Sequence, residues 1–463
     1  QGGFDLFFSA RFDTAAESAG TFSAEHTLLP ELECSGNECG AYLDFGAGEE
    51  PVLAKVGVSF VSLEGARNNL VTEAADLDFE GAVKGAEDAW REKLNSVQVD
   101  VGGTDEELRI FYTALYHVFF MPDINSDVDG KYFGMDLQTH DMGDRTYYSD
   151  FSIWDTYRTL HPLLTLVDPD AQSDMVASLI RMHDDGGAFP RWPIASTESG
   201  SMIGTHADIV IADSYLKGIP IDDPEHAFDG LLVTATGPKP AGAVGAGRSD
   251  IEGYLANGFC SVDHTGSSVS WTMELAHDDF ALSMMARGLG RDEEADMLLE
   301  HSGNYANVWK ADVGFFQPRN SDGSWYDWGE PFDPIKWEDW FTEGNSYQYL
   351  WYVPHDIPGL AELMGGESAM LERLEEFFAL SKAEEDAIVP FTDLLPRDYY
   401  WHGNEPDMAT AYFFSALGRQ DLASKWARWI MRVHYHDAPQ GYPGNDDCGT
   451  MSSWYVFSAL GFF

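Results

Sequence analysis

The stretch ARGLGRDEEADML at residues 286–298 shows how most of this chain is built. An apolar helix end runs into Gly290, and the acidic residues that follow are typical of the first turn of a new helix. The same order recurs in FSALGRQDLASKW at residues 414–426 and in the closing FSALG at residues 457–461. Because a helix that stops at glycine and restarts at once makes an antiparallel hairpin, the repeat predicts a closed α/α toroid.

Further helical segments extend this pattern back to about residue 101. Thr104 and Glu107 form a capping box ahead of the apolar segment ELRIFYTALYHVFF. Asp168 followed by Pro169 predicts the start of another helix. We therefore predict a mainly α chain in which residues 101–463 form the toroid, with its C-terminus cut short.

The first 100 residues differ from the rest of the chain. Residues 1–72 hold short alternating apolar runs broken by Gly, Pro and Asn, which predicts β-strands. So few strands do not close a sandwich, and we expect the C-terminal part of a larger β-sandwich domain. Residues 73–100 predict a helical linker between this part and the toroid. Cys34 and Cys39 lie in a turn-rich stretch and could close a small disulfide loop.

The charge of the chain excludes one broad class of function and argues against another. Its 463 residues carry 27 Lys and Arg against 78 Asp and Glu, a formal net charge of −51. Proteins that bind nucleic acids rely on cationic contacts to phosphate, so this class is excluded. Docking on an anionic membrane is disfavoured for the same reason, and the sequence has no apolar run long enough for a membrane helix. We interpret most of the acids as a hydrated surface coat.

Tryptophan is concentrated beside acidic residues in the loops. The chain has 14 Trp, several of them in the segments IWDTYR, PRWP, WYDWGEP, KWEDWFTEGN and YYWHGNEP. The apolar C–H face of a sugar stacks on an aromatic ring, whereas its hydroxyls are recognised by carboxylates. The combination indicates a carbohydrate-binding cleft.

Three acidic turns in these loops are candidates for chemistry. Glu343 in WFTEGN is flanked by aromatic residues that would raise its pKa, as a general acid requires. Asp446 and Asp447 lie in the turn GNDDCG. In GNEP, Asn404 and Glu405 are either oxygen ligands for Ca²⁺ or the N-cap of a helix. Glycoside cleavage needs one carboxyl as acid and one that activates water, so the first two turns predict a hydrolase.

Seven segments, in this order, resemble the signature segments of glycoside hydrolase family 92. They are WDTYRTLHPLLTL, FPRWP, GTHADIVIADSYLKG, PRNSDGSW, FTEGNSYQYLWYVPHD, GNEP and GNDDCGTMSSWYVFSALGFF. The resemblance implies an N-terminal β-sandwich, a helical linker and an (α/α)6 catalytic barrel. It also implies a calcium-dependent, inverting exo-α-mannosidase that acts on α-mannosides of N-glycans or mannan. Such enzymes usually work outside the cytoplasm, so the expected location is extracellular or periplasmic.

The resemblance also implies roles for the residues of the acidic turns. Glu343 is the implied general acid, and Asp447, or else Asp446, is the implied general base. Glu405 and Asn404 are implied near the calcium ion.

A further set of residues is implied around the terminal mannose. Asp155 and His206 would hold its hydroxyls, with Trp154, Arg191 and Trp192 around the ring. Two alternatives are a metal-independent (α/α)6 hydrolase acting on α-glucosides and a catalytically inactive relative that binds glycans.

Overall fold

The computed structural model describes residues 4–24, 27–48, 50–100, 102–328, 331–387 and 396–463. Within these residues the α-helices are α1 Leu63–Ala74, α2 Phe79–Leu94, α3 Asp105–His117, α4 Ile153–Thr156, α5 Leu160–Val167, α6 Pro169–Gly186, α7 Ala207–Leu216, α8 Pro224–Ala235, α9 Ile251–Asn257, α10 Ser268–Leu289, α11 Asp292–His301, α12 Ser346–Tyr349, α13 Ile357–Leu363, α14 Glu367–Ala387, α15 Phe413–Ala416, α16 Gln420–His434 and α17 Thr450–Leu460. The 3₁₀ helices are Asn304–Val308, Glu405–Asp407 and Thr410–Tyr412.

The strands are short, and most of them pair only as two-stranded ribbons. They are β1 Phe7–Phe12, β2 Ser18–Phe22, β3 Leu28–Leu29, β4 Gly40–Asp44, β5 Ala54–Ser59, β6 Asp123–Ile124, β7 Lys131–Phe133, β8 Thr139–Asp141, β9 Tyr148–Ser149, β10 Pro193–Ile194, β11 Thr197–Glu198, β12 Trp309–Lys310 and β13 Phe315–Phe316.

The helical hairpin repeat predicted from the sequence is confirmed. Gly290, Gly418 and Gly461 follow α10, α15 and α17 with φ angles of 76°, 73° and 85°, in the left-handed region that glycine adopts without strain. After Gly290 the amide of Arg291 donates to the carbonyl of Ala286 at 2.9 Å, which ends the helix and turns the chain into α11. Equivalent amide-to-carbonyl bonds follow the other two glycines.

The helices close into a ring. The first helix of the helical region, α3, packs against the last, α17, and α17 also contacts α5. Helix α10 packs against α7, α8 and α11. Helices α7, α10 and α17 are buried around most of their circumference, whereas α16 buries only one face, as expected for inner and outer helices of a toroid. The predicted α/α toroid is confirmed.

The N-terminal part is less strand-rich than the sequence predicts. β1 pairs with β5, β2 lies between β3 and β4, and α1 packs beneath β5. The strand pattern predicted up to residue 72 is wrong beyond β5, because α1 begins at Leu63. The Ser62 side chain accepts a hydrogen bond from the amide of Gly65 and so caps this helix. Cys34 and Cys39 are free thiols in this structure.

One face of the β1–β5 ribbon is apolar and exposed. Phe8 lies opposite Val58 and Ala10 lies opposite Val56. The exposed fractions of Phe8, Val56 and Val58 are 64%, 57% and 50%. Strands of a β-sandwich normally turn such a face toward a second sheet.

A fully buried ion-pair group joins three parts of the toroid. Arg248 contacts Asp208 on α7 at 3.0 Å and Asp279 on α10 at 2.5 Å, and the Tyr254 hydroxyl donates to Asp279. All four side chains are shielded from solvent. A buried pair of this kind holds elements together because breaking it leaves a charge without compensation.

Replacing Arg248 with Ala is therefore expected to lower the free energy of unfolding by about 3–5 kcal/mol. Asp208 and Asp279 would remain buried without their counter-charge. Urea unfolding of parent and variant measures the change. The control is Arg287→Ala, which removes an exposed arginine paired with Asp296 and should cost less than about 1 kcal/mol. Equal losses in the two variants would contradict the assignment.

Every helix within the described residues is too short or too polar to pass through a bilayer.

Candidate active site

The loops that carry the predicted site residues lie at one end of the toroid. Asp155 lies just before α5, His206 just before α7, Glu343 before α12 and Asp447 before α17. Inner helices of successive hairpins run in the same direction, so their N-terminal ends converge. The partial positive charge of these ends favours carboxylates there.

Three carboxyl groups meet at this end and are named here the acidic cluster: Asp155, Glu405 and Asp447. One oxygen atom from each lies within 4.8 Å of the others. Asp155 and Glu405 are each only 1% exposed. Burial, and then the charge of Asp447, raises the pKa of Asp155 well above its ordinary value. Burial, followed by the charges of Asp155 and Asp447, does the same to the pKa of Glu405.

The acidic cluster has the properties of a cation site. The Oε1 atom of Glu405 is buried and has no hydrogen-bond partner among the described residues. Arg158 lies beside the cluster, where its guanidinium donates to the backbone carbonyls of Trp154 and Glu405 and offsets a small part of the rise in the pKa of Asp155 and Glu405. Three carboxylates against one guanidinium leave a charge that a divalent ion would neutralise. The donors are all oxygen atoms, which suits Ca²⁺.

Glu343 faces this cluster from a strained corner. Its φ of 49° is unusual for a residue with a side chain, and such strain is characteristic of functional sites. The side chain is exposed. Partial burial, and then the charge of Asp447, raises its pKa. The side-chain amide of Asn404 donates to the backbone carbonyl of Glu343 and joins this corner to the turn that bears Glu405.

The Asn404 bond settles one alternative left open by the sequence. The 3₁₀ helix Glu405–Asp407 has no side-chain cap from Asn404. The interpretation of Asn404 as a side-chain N-cap is therefore wrong, because its side chain accepts no amide of this helix and its Nδ2 donates to Glu343 instead.

The two neighbouring aspartates of GNDDCG have different environments. Asp446 Oδ1 accepts a hydrogen bond from the amide of Ser452 at 2.9 Å and so satisfies one of the free amides in the first turn of α17. Asp447 has a φ of 47° and belongs to the acidic cluster. Burial raises its pKa, Glu405 opposes this by hydrogen bonding, and Asp446 adds to it. Asp447 therefore faces Glu343 and Glu405, whereas Asp446 supports the helix.

His206 lies behind the acidic cluster, where it is fully buried. Its Nδ1 lies 2.6 Å from Asp278 and its Nε2 lies 3.1 Å from Glu274. Burial alone lowers its pKa, but Asp278 and Glu274 outweigh this and raise it to about 9. The imidazole is thus a buried cation at neutral pH.

The remaining predicted residues are Trp154, Arg191 and Trp192. The indole Nε1 of Trp154 donates to Glu274 at 3.1 Å, and this tryptophan is fully buried. Arg191 donates to the backbone carbonyls of Met202 and Gly204 and lies over the ring of Trp271. Trp192 is half-buried.

Glu274 was missed by the sequence reasoning although it links both sides of the site. It accepts from Trp154, next to Asp155, and from the hydroxyl of Tyr349 at 3.2 Å. The same hydroxyl lies 2.9 Å from the carbonyl oxygen of Thr342, next to Glu343, so the two acceptors share its one proton. The available signal was the group of acids Glu274, Asp278 and Asp279 between the apolar residues of α10, because buried acids require partners.

Similarity to solved proteins agrees with this architecture. The family GH92 inverting mannosidase BT2199 of Bacteroides thetaiotaomicron VPI-5482 matches at 30% identity with a TM-score of 0.89, over 99% of this chain and 63% of that one. The family GH92 α-mannosidase BT3965 of Bacteroides thetaiotaomicron matches at 30% identity with a TM-score of 0.85, over 99% of this chain and 60% of that one. The predicted fold class, a mainly α chain with an (α/α)6 toroid after small N-terminal sheets, is confirmed.

A curated relative and a family model complete the comparison. A protein of Arthroderma benhamiae described as an uncharacterized secreted glycosidase is 26% identical over 466 residues, which cover 92% of this chain and 53% of that protein. This chain therefore spans about half the length of that relative. Residues 65–463 match the family model of the glycosyl hydrolase family 92 catalytic domain. The chain therefore belongs to glycosyl hydrolase family 92.

Proposed function

We propose that this protein is an exo-acting α-mannosidase that hydrolyses terminal α-linked mannose from glycans with inversion. The observation that carries the proposal is the position of Glu343 next to the acidic cluster, where burial, and then the charge of Asp447, raises the pKa of Glu343. Family membership and relatives described as an α-mannosidase and an inverting mannosidase support it. Another structure of BT3965 is described as a complex with mannoimidazole.

Glu343 is the proposed general acid. Its raised pKa keeps a larger fraction protonated near neutral pH than a free glutamate would have. Its side chain is exposed, so the proton is available to the glycosidic oxygen of a bound substrate. The left-handed backbone at Glu343 and the hydrogen bond from Asn404 fix the direction in which this carboxyl projects.

Asp447 is the proposed general base, with Asp446 as the second candidate. An inverting enzyme needs a base on the other side of the sugar ring, with roughly 6.5–9.5 Å between the two carboxyls for the attacking water. Asp447 belongs to the cluster that faces Glu343, whereas the carboxylate of Asp446 is occupied by the amide of Ser452. The base would accept a proton from the water as the water attacks the anomeric carbon.

The five predicted substrate residues divide into those proposed to contact the sugar and those proposed to position them. Asp155, as a member of the acidic cluster, is proposed to bind hydroxyls of the terminal mannose. Trp192 is proposed to stack on the ring, because it is only half-buried. Trp154, His206 and Arg191 are proposed to position the residues that contact the sugar. Their own polar groups are already bound to Glu274, Asp278 and backbone carbonyls.

Calcium is the proposed cofactor. Glu405 and Asp155 would hold the ion, with Asp447 at the edge of the same cluster and Asn404 beside it. When bound, calcium supplies Lewis-acid contacts to sugar hydroxyls.

Chelation tests this part of the proposal. We expect EDTA to abolish activity and added Ca²⁺ to restore it. Mg²⁺ is expected to fail, because it demands a small octahedral site and keeps its water ligands. The measurement is the rate of mannose release after chelation and after each addition. Activity that is indifferent to EDTA would favour the metal-independent hydrolase of α-glucosides instead.

The stereochemistry of the product tests inversion. Proton NMR of a fresh reaction should show β-mannose first, followed by slow mutarotation. The appearance of α-mannose first would contradict the proposed roles of Glu343 and Asp447. Binding of mannose without any release of product would favour an inactive glycan-binding relative.

The domain boundaries and the location are also proposals. We propose that residues 1–72 belong to a β-sandwich, residues 73–100 form a linker and residues 101–463 form the catalytic barrel. The exposed apolar face of β1 and β5 supports the assignment of residues 1–72 to a β-sandwich. An extracellular or periplasmic location, and N-glycans or mannan as substrates, fit a relative described as secreted.

A further inference from the structure

Two helices meet at a group of metal-binding side chains that the proposed function does not use. His183 and Asp184 lie in the last turn of α6, and His226 lies in the first turn of α8. Asp184 Oδ1 lies 2.6 Å from Nε2 of His226 and 3.3 Å from Nδ1 of His183. We name these three residues the His–Asp–His cluster.

The donor set of the His–Asp–His cluster suits a transition metal. One ligating atom from each residue lies within 4.8 Å of the other two, so a single ion can contact all three. Imidazole nitrogen is a preferred ligand of Zn²⁺ and its neighbours, whereas Ca²⁺ prefers oxygen alone. Three protein ligands would leave a fourth position for water.

The surrounding structure holds His183 in place. Its ring stacks on Phe189 with 4.6 Å between the ring centroids. A Cβ atom at Gly230 of α8 would lie 2.7 Å from Nε2 of His183, so the glycine gives this ring its space. Glycine is unfavourable inside a helix, which indicates that the close approach is a requirement of this position.

Little positive charge opposes a cation at the His–Asp–His cluster. The only opposing charge described at Asp184 is a distant contact, in which Arg181 Nη1 lies 3.7 Å from Oδ2.

We propose that His183, Asp184 and His226 bind a Zn²⁺-type transition metal ion that ties α6 to α8. The ion would replace the present hydrogen bonds to Asp184 with coordination bonds from both helices. The His–Asp–His cluster and the acidic cluster share no residue, so this proposal does not depend on the proposed function.

Equilibrium dialysis of the full chain against Zn²⁺, with excess Ca²⁺ to fill the oxygen sites, tests the proposal. The parent should retain one more equivalent of zinc than His183→Ala and His226→Ala. The control His264→Ala removes an exposed histidine paired with Asp250 and should bind as the parent does. With Co²⁺ as probe, visible absorption of a histidine-ligated ion should appear in the parent and be lost in His226→Ala.

Two results would overturn the proposal. One is equal zinc retention by the parent and His226→Ala, which would place bound zinc on other groups. The other is the lack of any zinc retention by a parent that is folded by circular dichroism. The side chain of His226 is 48% exposed, so its alanine variant should unfold close to the temperature of the parent without metal, and only the parent should gain stability with Zn²⁺. Asp155→Asn should lose the calcium response but keep the zinc, which separates failure of this site from failure of the proposed function.

Discussion

Glu343→Gln is expected to lower kcat/KM on an unactivated α-mannobiose by about 100- to 10,000-fold. The amide cannot protonate the leaving oxygen, whereas an aryl mannoside with an acidic leaving group needs little protonation and should lose far less. The comparison of both substrates under the same conditions measures the difference. Equal losses on the two substrates would exclude Glu343 as the acid.

The pH profile of the same variant provides a second readout. Glu343 must be protonated to act, so activity should fall as pH rises through its pKa. Burial and Asp447 raise that pKa, which shifts the alkaline limb to higher pH than a free glutamate would give. Glu343→Gln should lose this limb on the aryl substrate. The control is Glu372→Gln, an exposed glutamate on α14, which should keep the parent profile.

Asp447→Asn is expected to lower kcat by about 100- to 10,000-fold on both substrates alike. Activation of water by the base does not depend on the leaving group, so the aryl mannoside should give no relief. Asparagine tolerates left-handed backbone well, and the fold should therefore persist at a φ of 47°. Steady-state kinetics of both substrates with the calcium-loaded protein measure the loss.

The neighbouring aspartate supplies the matched control. Asp446 accepts the amide of Ser452 in the first turn of α17, and the side-chain oxygen of asparagine can accept the same hydrogen bond. Asp446→Asn should therefore preserve stability and reduce activity much less than Asp447→Asn. A larger loss in Asp446→Asn would transfer the role of base to Asp446.

Local signals made the toroid predictable. A glycine that ends a helix and a capping box that starts one are read within a few residues, so the hairpins and the start of α3 followed from the sequence. The start of α1 did not follow from the sequence, because the alternating apolar residues of β5 come shortly before this helix. The Ser62 cap was the one local signal of the change.

Long-range contacts decided what the sequence could not predict. Asn404 looks like a helix cap from its neighbours, yet its amide bonds the carbonyl of Glu343, 61 residues away. His206 looks like a ligand for a sugar, yet it is enclosed by Asp278 and Glu274 from α10. Residue types indicated that carboxylates would meet, but the different surroundings of Glu343, Asp447 and Asp446 depend on the closed ring.

The left-handed backbone at Glu343 and Asp447 makes glycine a useful replacement at both positions. Glycine relieves the strain of a positive φ, and this gain nearly offsets the extra freedom that it gives the unfolded chain. A glycine variant at Glu343 or Asp447 would keep the backbone conformation and leave a vacant space where the carboxylate had been. Formate diffusing into that space could take over the missing proton transfer, so chemical rescue becomes a way to assign each corner its step.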